Sequence, residues 1–361
     1  MHHLVGIKRS VLGGAKSRYL VLDKYSDTIA AGSVNGTDAV PGPGVRTVTD
    51  TENKLSLSSG RLQFAGGKAA PTFGEPGIWF TDSFVRNPGL VFGVLFNADA
   101  ANTICGVGFD DAKSALANKS AFYINNNSSL ASFANGVQTA SLISLTAATP
   151  RHLAVVIRDG GGAFYLTKLE ASSAYDLVWV DDTDTTDPVY AGITNYNLAG
   201  WLDNAFVSTW GGNWKTQWGL ATFYDATPTA NDTATATADG IFEMSWDCGT
   251  GETLEISIRR TDDNNRIVIR ADEDTNTIKI IKIETGGEAE ENSAAQVFND
   301  GTSYRIVVTA DGNAVRSYVN GAWKNQDVAL SFNNTETGTK VAGFASGSNF
   351  AAWPRQAVPP F

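Results

Sequence analysis

Apolar and polar positions along this chain follow a period of two or gather in short apolar runs, and nowhere hold a capped helical spacing beyond about two turns. Residues 54–64 (KLSLSSGRLQF) alternate about a Ser59-Gly60 turn and predict a hairpin. Residues 254–258, 267–269 and 278–283 alternate as well, as in sheets with one face on a core and the other in water. Residues 90–96 are nearly all apolar, the pattern of a strand buried on both faces. Residues 19–22, 103–109, 121–124, 151–157, 164–169 and 177–180 read as further strands. The strongest local signal spans residues 301–323. Two β-rich runs, 304–309 and 314–319, flank Asp311-Gly312-Asn313, and Asn320-Gly321 closes the far end. Asp-Gly and Asn-Gly supply the positive φ angles that tight hairpin turns require. The segment 32–44, with Pro41 and Pro43, is expected to be irregular, and residues 111–120 are the best candidate for a short helix.

The hairpin occurs twice. Residues 151–166 (RHLAVVIRDGGGAFYL) repeat the order of apolar run, Asp-Gly turn and apolar run about 150 residues earlier. Gly89 and Gly240, Asp110 and Asp262, and Asp159 and Asp311 keep that same spacing, and Gly200-Trp201 matches Gly343-Phe344 at a slightly shorter one. The first copy therefore carries about eight extra residues, placed in 175–188. Self-similarity at this period means a duplicated domain, with a seam near Gly211-Gly212-Asn213. The expected organisation is an N-terminal arm (1–18), a first sandwich (19–210) and a second sandwich with a short tail (211–361). Many short strands without crossover helices make the fold class all-β, two tandem antiparallel jelly-roll β-sandwiches.

Charge narrows the partners. A net charge of -11 over 361 residues argues against a non-specific nucleic-acid binder, which needs a basic face. No run approaches the length of a membrane span, and residues 1–18 lack the apolar core of a signal peptide. The two cysteines, Cys105 and Cys248, have no metal-ligand spacing and are expected to be free and buried, with a bridge between them the alternative.

The second copy reads RRTDDNNRIVIRAD, NTIKIIKIETGG, YRIVVTADGNAVRSYVNG and VAGFASGSNFAAW in succession. It resembles the concanavalin A-like lectin/glucanase jelly roll in its laminin G-like or pentraxin-like form, and the first copy matches more loosely. The resemblance covers most of residues 20–355 and speaks to fold more than activity. It implies lectins, polysaccharide-binding modules, glycan hydrolases, adhesion modules or tandem domains of bacteriophage virion and tail proteins. The expectation drawn from it is a non-catalytic virion structural or surface protein, a capsid decoration or tail component. Its arm and tail would contact other virion subunits, as a homo-oligomer in the assembled particle. The alternative is a carbohydrate-binding module for cell-surface glycans, and the weakest is a glycan hydrolase.

Candidate chemistry is sparse. The glucanases of this family carry Glu-x-Asp-x-x-Glu on one strand, and no such strand occurs; Glu243 and Asp247 stand at i and i+4 without a third acid, and Glu288, Glu290 and Glu291 read as a solvated loop. His152, at a strand start, has no nucleophile elbow to serve. No cofactor is required. Ca²⁺ is the one metal considered, at Asp181, Asp182, Asp184 and Asp187, where hard oxygen ligands crowd one loop; a merely solvated acidic loop is the plainer reading. Of nine tryptophans, Trp201, Trp210, Trp214 and Trp218 cluster at the seam, where packing between domains explains them. Trp323, where a turn re-enters a strand, is the best candidate for an exposed glycan- or partner-binding indole, with Trp214 and Trp218 behind it.

Overall fold

A computed structural model describes residues 18–40, 42–66, 69, 75–99, 105–113, 120–125, 129–134, 137–138, 143–146, 148–158, 162–172, 175–180, 189–195, 199–209, 222–224, 233–234, 238–354 and 356–357. The first strands in chain order are β1 (Arg18–Asp23), β2 (Arg46–Thr49), β3 (Leu55–Ser58), β4 (Arg61–Phe64), β5 (Gly77–Phe80), β6 (Leu90–Ala98), β7 (Cys105–Asp110) and β8 (Ser120–Asn125). Then come β9 (Ser129–Ala134), β10 (Val137–Gln138), β11 (Ile143–Ser144), β12 (Arg151–Ile157), β13 (Ala163–Leu169), β14 (Tyr175–Val180), β15 (Tyr190–Asn195) and β16 (Gly200–Thr209). The remainder are β17 (Thr222–Tyr224), β18 (Thr233–Ala234), β19 (Gly240–Asp247), β20 (Thr253–Asp262), β21 (Asn265–Asp272), β22 (Thr277–Glu284) and β23 (Gly287–Ala295). They are followed by β24 (Ser303–Asp311), β25 (Ala314–Val319), β26 (Ala322–Asp327), β27 (Gly338–Ala342), β28 (Ser346–Pro354) and β29 (Gln356–Ala357).

These strands form two tandem antiparallel β-sandwiches. The first stacks a nine-stranded on an eight-stranded sheet, and the second stacks two six-stranded sheets. Duplication is visible in the strand order. The run β14-β13-β12-β6-β16-β4 has the same connectivity as β26-β25-β24-β19-β28-β17. On the facing sheets, β10-β9-β8-β7-β15-β5 corresponds to β23-β22-β21-β20-β27-β18. Features spaced about 150 residues apart thus occupy equivalent strands, as a duplicated domain requires.

Alternation explains the cores. β3 and β4 bury every second residue, and the second core takes Phe242, Met244 and Trp246 from β19 with Ile306, Val308 and Ala310 from β24. The hairpin forms as expected, with Gly312 at φ 55°, Asn320 at φ 50° and Gly321 at φ 80°. β6 is buried along both faces, from Leu90 to Asn97. Phe92 meets Phe80 and Phe109 edge-on in the first core.

On β19, β24 and β25, residues that alternation points away from the second core are buried against the first sandwich. Ile241, Val307 and Tyr318 join the apolar cluster of the first sandwich, and Tyr318 lies 4.4 Å, centroid to centroid, from Trp179. Arg305 donates to the Val180 carbonyl at 2.8 Å, and Arg158 of the first sandwich donates to Glu243 of the second, also at 2.8 Å. The chain end then turns back: β29 pairs with β14 through Tyr175–Ala357 and Asp176–Gln356.

One expectation needs correction. Residues 287–295, read as part of a solvated loop around Glu288, Glu290 and Glu291, are the edge strand β23. Nearly all its side chains face water, so it shows no alternation; its conformation comes from pairing with β22, with Glu288 held by Arg270 and Glu290 by Lys279. Of the short helix expected at residues 111–120, Asp111–Lys113 is a bend and Ser120 opens β8, while residues 114–119 lie outside the described residues. Cys248 is a free, buried thiol, so no bridge to Cys105 forms.

Candidate functional site

The side of the second sandwich carries a cleft of about 400 Å³ between the edges of its two sheets. β26, the edge of one sheet, contributes Trp323, Lys324, Asn325, Gln326 and Asp327, and β23, the edge of the other, contributes Glu291 and Asn292. Val328 completes the lining. The Asn320-Gly321 turn sets the position of Trp323, because it delivers the chain directly into β26 two residues before the indole. Trp323 is 43% exposed, whereas Trp79, Trp179 and Trp246 are each at most 1% exposed.

Both edges are irregular where they face the cleft. Between Ile280 and Ile281 the partner of β22 jumps from Asn292 to Glu290, leaving Glu291 as an extra, unpaired residue. Between Ser317 and Tyr318 the partner of β25 jumps from Asn325 to Trp323, leaving Lys324 as the extra residue. A β-bulge re-aims side chains and interrupts pairing, and bulges recur at sheet edges and beside binding sites. Here two bulges face each other and turn consecutive residues, Trp323 with Lys324 and Glu291 with Asn292, onto one opening.

A network of side-chain hydrogen bonds, with Asn325 buried at its centre, forms the floor. Asn325, 3% exposed, donates to the Ile278 carbonyl at 2.8 Å and accepts from the Ser317 hydroxyl. Asn292 donates to the Gln326 carbonyl at 2.6 Å, Gln326 accepts from Arg316 at 3.2 Å, and Asp327 accepts from the Ala329 amide at 2.7 Å. The Asn325–Ile278 and Asn292–Gln326 bonds tie the two sheets together at the cleft, so the rim is held by a packed scaffold. The arrangement offers an aromatic face, two carboxylates, one ammonium and side-chain amides around a single opening, which suits binding by stacking and hydrogen bonds.

The other sequence candidates fall elsewhere. Trp214, Trp218 and Trp210 lie outside the described residues, as do Asp181, Asp182, Asp184 and Asp187. Trp201 is on β16, with the Arg61 guanidinium 3.6 Å from its ring centroid. Glu243 is no catalytic acid: Arg305 and Arg158 both donate to it, and although burial pushes its carboxyl up, their charges hold it below the ordinary range. Asp247 accepts from Ser346 at 3.0 Å. His152 on β12 is pushed down to about 4 by burial and the Lys168 charge, which keeps the ring neutral near pH 7. In the cleft itself, Glu291 stands exposed to water and Asp327 is half-buried. Sequence reasoning picked out Trp323 but missed its neighbours across the cleft; a run of glutamates gives no sign that it pairs as an edge strand.

No protein-family model matches the chain, and no curated protein matches it. Solved structures do. A carbohydrate-binding module, CBM66 from Bacillus subtilis, is similar at 13% identity over 38% of this chain and 89% of its own, with a TM-score of 0.27. The Caenorhabditis elegans galectin LEC-6 is similar at 14% identity over 37% of this chain and 94% of its own, with a TM-score of 0.31. The exoplasmic/lumenal domain of VIP36, in a Ca²⁺/Man3GlcNAc-bound form, is similar at 10% identity over 54% and 92%, with a TM-score of 0.39. Likeness at this level carries no activity from one protein to another.

Proposed function

We propose that this protein is a non-catalytic glycan-binding protein and that the Trp323 cleft is its binding site. The observation that carries the reading is the exposed indole of Trp323, set between two bulged edges over hydrogen-bonded amides, of which Asn325 is buried. An exposed indole over polar groups is what stacking against the apolar face of a sugar ring requires, with the surrounding groups left to bond its hydroxyls. A glycan array probed with the full chain, followed by titration of the best binder, tests this. Trp323→Ala is expected to lower affinity by about 1–3 kcal/mol while leaving the melting temperature within a few degrees. An array with no hits, or hits indifferent to that substitution, defeats the reading. Release of reducing ends from a bound polysaccharide would replace it with a hydrolase. Titrations with and without Ca²⁺ test the separate proposal that residues 181–187 hold that ion.

The assembly role expected from the sequence has little to stand on in the described residues. Of the arm, residues 1–18, all but Arg18 lie outside them; Arg18 opens β1 opposite Thr209, and the described end of the tail, Gln356–Ala357, pairs with the chain's own β14.

A further inference from the structure

Resting on the glycan-binding reading above, we infer that the Trp323 cleft selects a short, uncharged glycan end, recognised through hydroxyl pairs, and rejects uronic, sialylated and sulfated glycans. The charge of the lining points this way. Glu291 and Asp327 face the opening with Lys324 as the one cationic side chain between them, on a chain of net charge -11. An anionic sugar would bring like charge to a lining that is already net negative, and like-charge juxtaposition is how sites exclude wrong partners. A hydroxyl, by contrast, donates to a carboxylate in a short charge-assisted bond, and the two oxygens of one carboxylate can take two neighbouring hydroxyls.

The hydrogen-bond inventory agrees. The amides of the floor are already committed: Asn325 to Ile278 and Ser317, and Asn292 to the Gln326 carbonyl. Acceptor capacity at the rim is concentrated in the two carboxylates, so the matching ligand is a donor of several hydrogen bonds. Lys324, the extra residue of the bulge and next to Trp323 in the chain, also lines the cleft, where its ammonium can donate to one ring or hydroxyl oxygen and fix the orientation of the stacked sugar. Size limits the ligand as well. At about 400 Å³ the cleft lies at the small end of ligand sites, which run from about 300 to 1,000 Å³, so it takes about two sugar rings.

The test uses the full chain and matched pairs of neutral and acidic oligosaccharides, cellobiose and maltose series against their uronate and sulfated counterparts, extended by an array holding both classes. For the best binder, affinity is expected to rise from mono- to disaccharide and to level off at the trisaccharide. Anionic counterparts are expected to bind at least about tenfold more weakly. Glu291→Gln with Asp327→Asn, which keeps the Asp327 bond to the Ala329 amide possible, is expected to weaken neutral binding and to narrow the gap to the anionic ligands. Trp323-dependent binding confined to anionic glycans, or stronger for them and lost in Lys324→Ala, overturns this inference and leaves the glycan-binding reading standing. Absence of any glycan binding that depends on Trp323 overturns both.

Discussion

Asp110 shows how one buried atom sets the chemistry of a residue. It ends β7 with no solvent exposure; its Oδ1 accepts from the Asp111 amide at 2.7 Å, while its Oδ2 has no hydrogen-bond partner among the described residues. Burial pushes the carboxyl up to about 7, with the Asp111 side chain adding to the rise and the backbone amides opposing it. A folded-state value above the unfolded one, about 3.9, favours folding fully only below that lower value, and the advantage is lost as pH rises through about 7. Asp110→Asn, which keeps an acceptor for the Asp111 amide, is therefore expected to be more stable than the parent at pH 8 and to converge with it near pH 4. Melting temperatures across that range read the difference, and equal stability at pH 8 refutes it. Nothing in the Asp110-Asp111 pair announces this in the sequence, where the same dipeptide at Asp262-Asp263 becomes an exposed turn paired with Arg260, Arg266 and Lys340.

The hairpin β24–β25–β26 is the element most completely legible beforehand. Its turns require positive φ, its strands alternate, and both properties are local. Its neighbour β23 is the opposite case: an edge strand wet on both sides has no apolar period to reveal it, and only pairing with β22 makes it a strand. The bulges were equally hidden, since an extra residue is defined against a partner strand that is remote or not yet known. Deleting Lys324 removes one bulge while leaving the pairing on either side intact. Because the change sits on an exposed edge, unfolding in urea is expected to shift by no more than about 1 kcal/mol, while affinity for the glycan ligand falls clearly. Unchanged affinity would mean that the bulge has no part in shaping the cleft.

Over the whole molecule, the two sandwiches are joined by a buried charge cluster. Glu243 accepts from Arg305 of its own sandwich and Arg158 of the other, beside the Trp179–Tyr318 contact. Removing one partner of such a cluster strands the remaining charges, at a cost of about 3–5 kcal/mol. Glu243→Gln is thus expected to lower the melting temperature and to split a single calorimetric transition into two as the sandwiches uncouple; a parent-like single transition refutes this. The folded carboxyl lies below its unfolded value, so the stabilisation is present above about pH 4.3 and is lost as pH falls through the folded value. The gap between parent and variant should close in acid accordingly.

Strand alternation, turn chemistry and the duplicated order of features follow from covalent sequence alone, because each depends on residues close together or on repetition at a fixed interval. The all-β class, the tandem sandwiches and the exposure of Trp323 at its turn are of that kind. Which sheet face would be covered by the other sandwich, which carboxylate would be neutralised by arginines and which two edges would meet depend on contacts between distant residues. Neither Glu243, four residues before Asp247, nor Glu291, in a run of glutamates, shows its partners in the sequence; packing between sandwiches buries the first in an ion cluster, and the meeting of β23 with β26 sets the second, in water, across from Trp323.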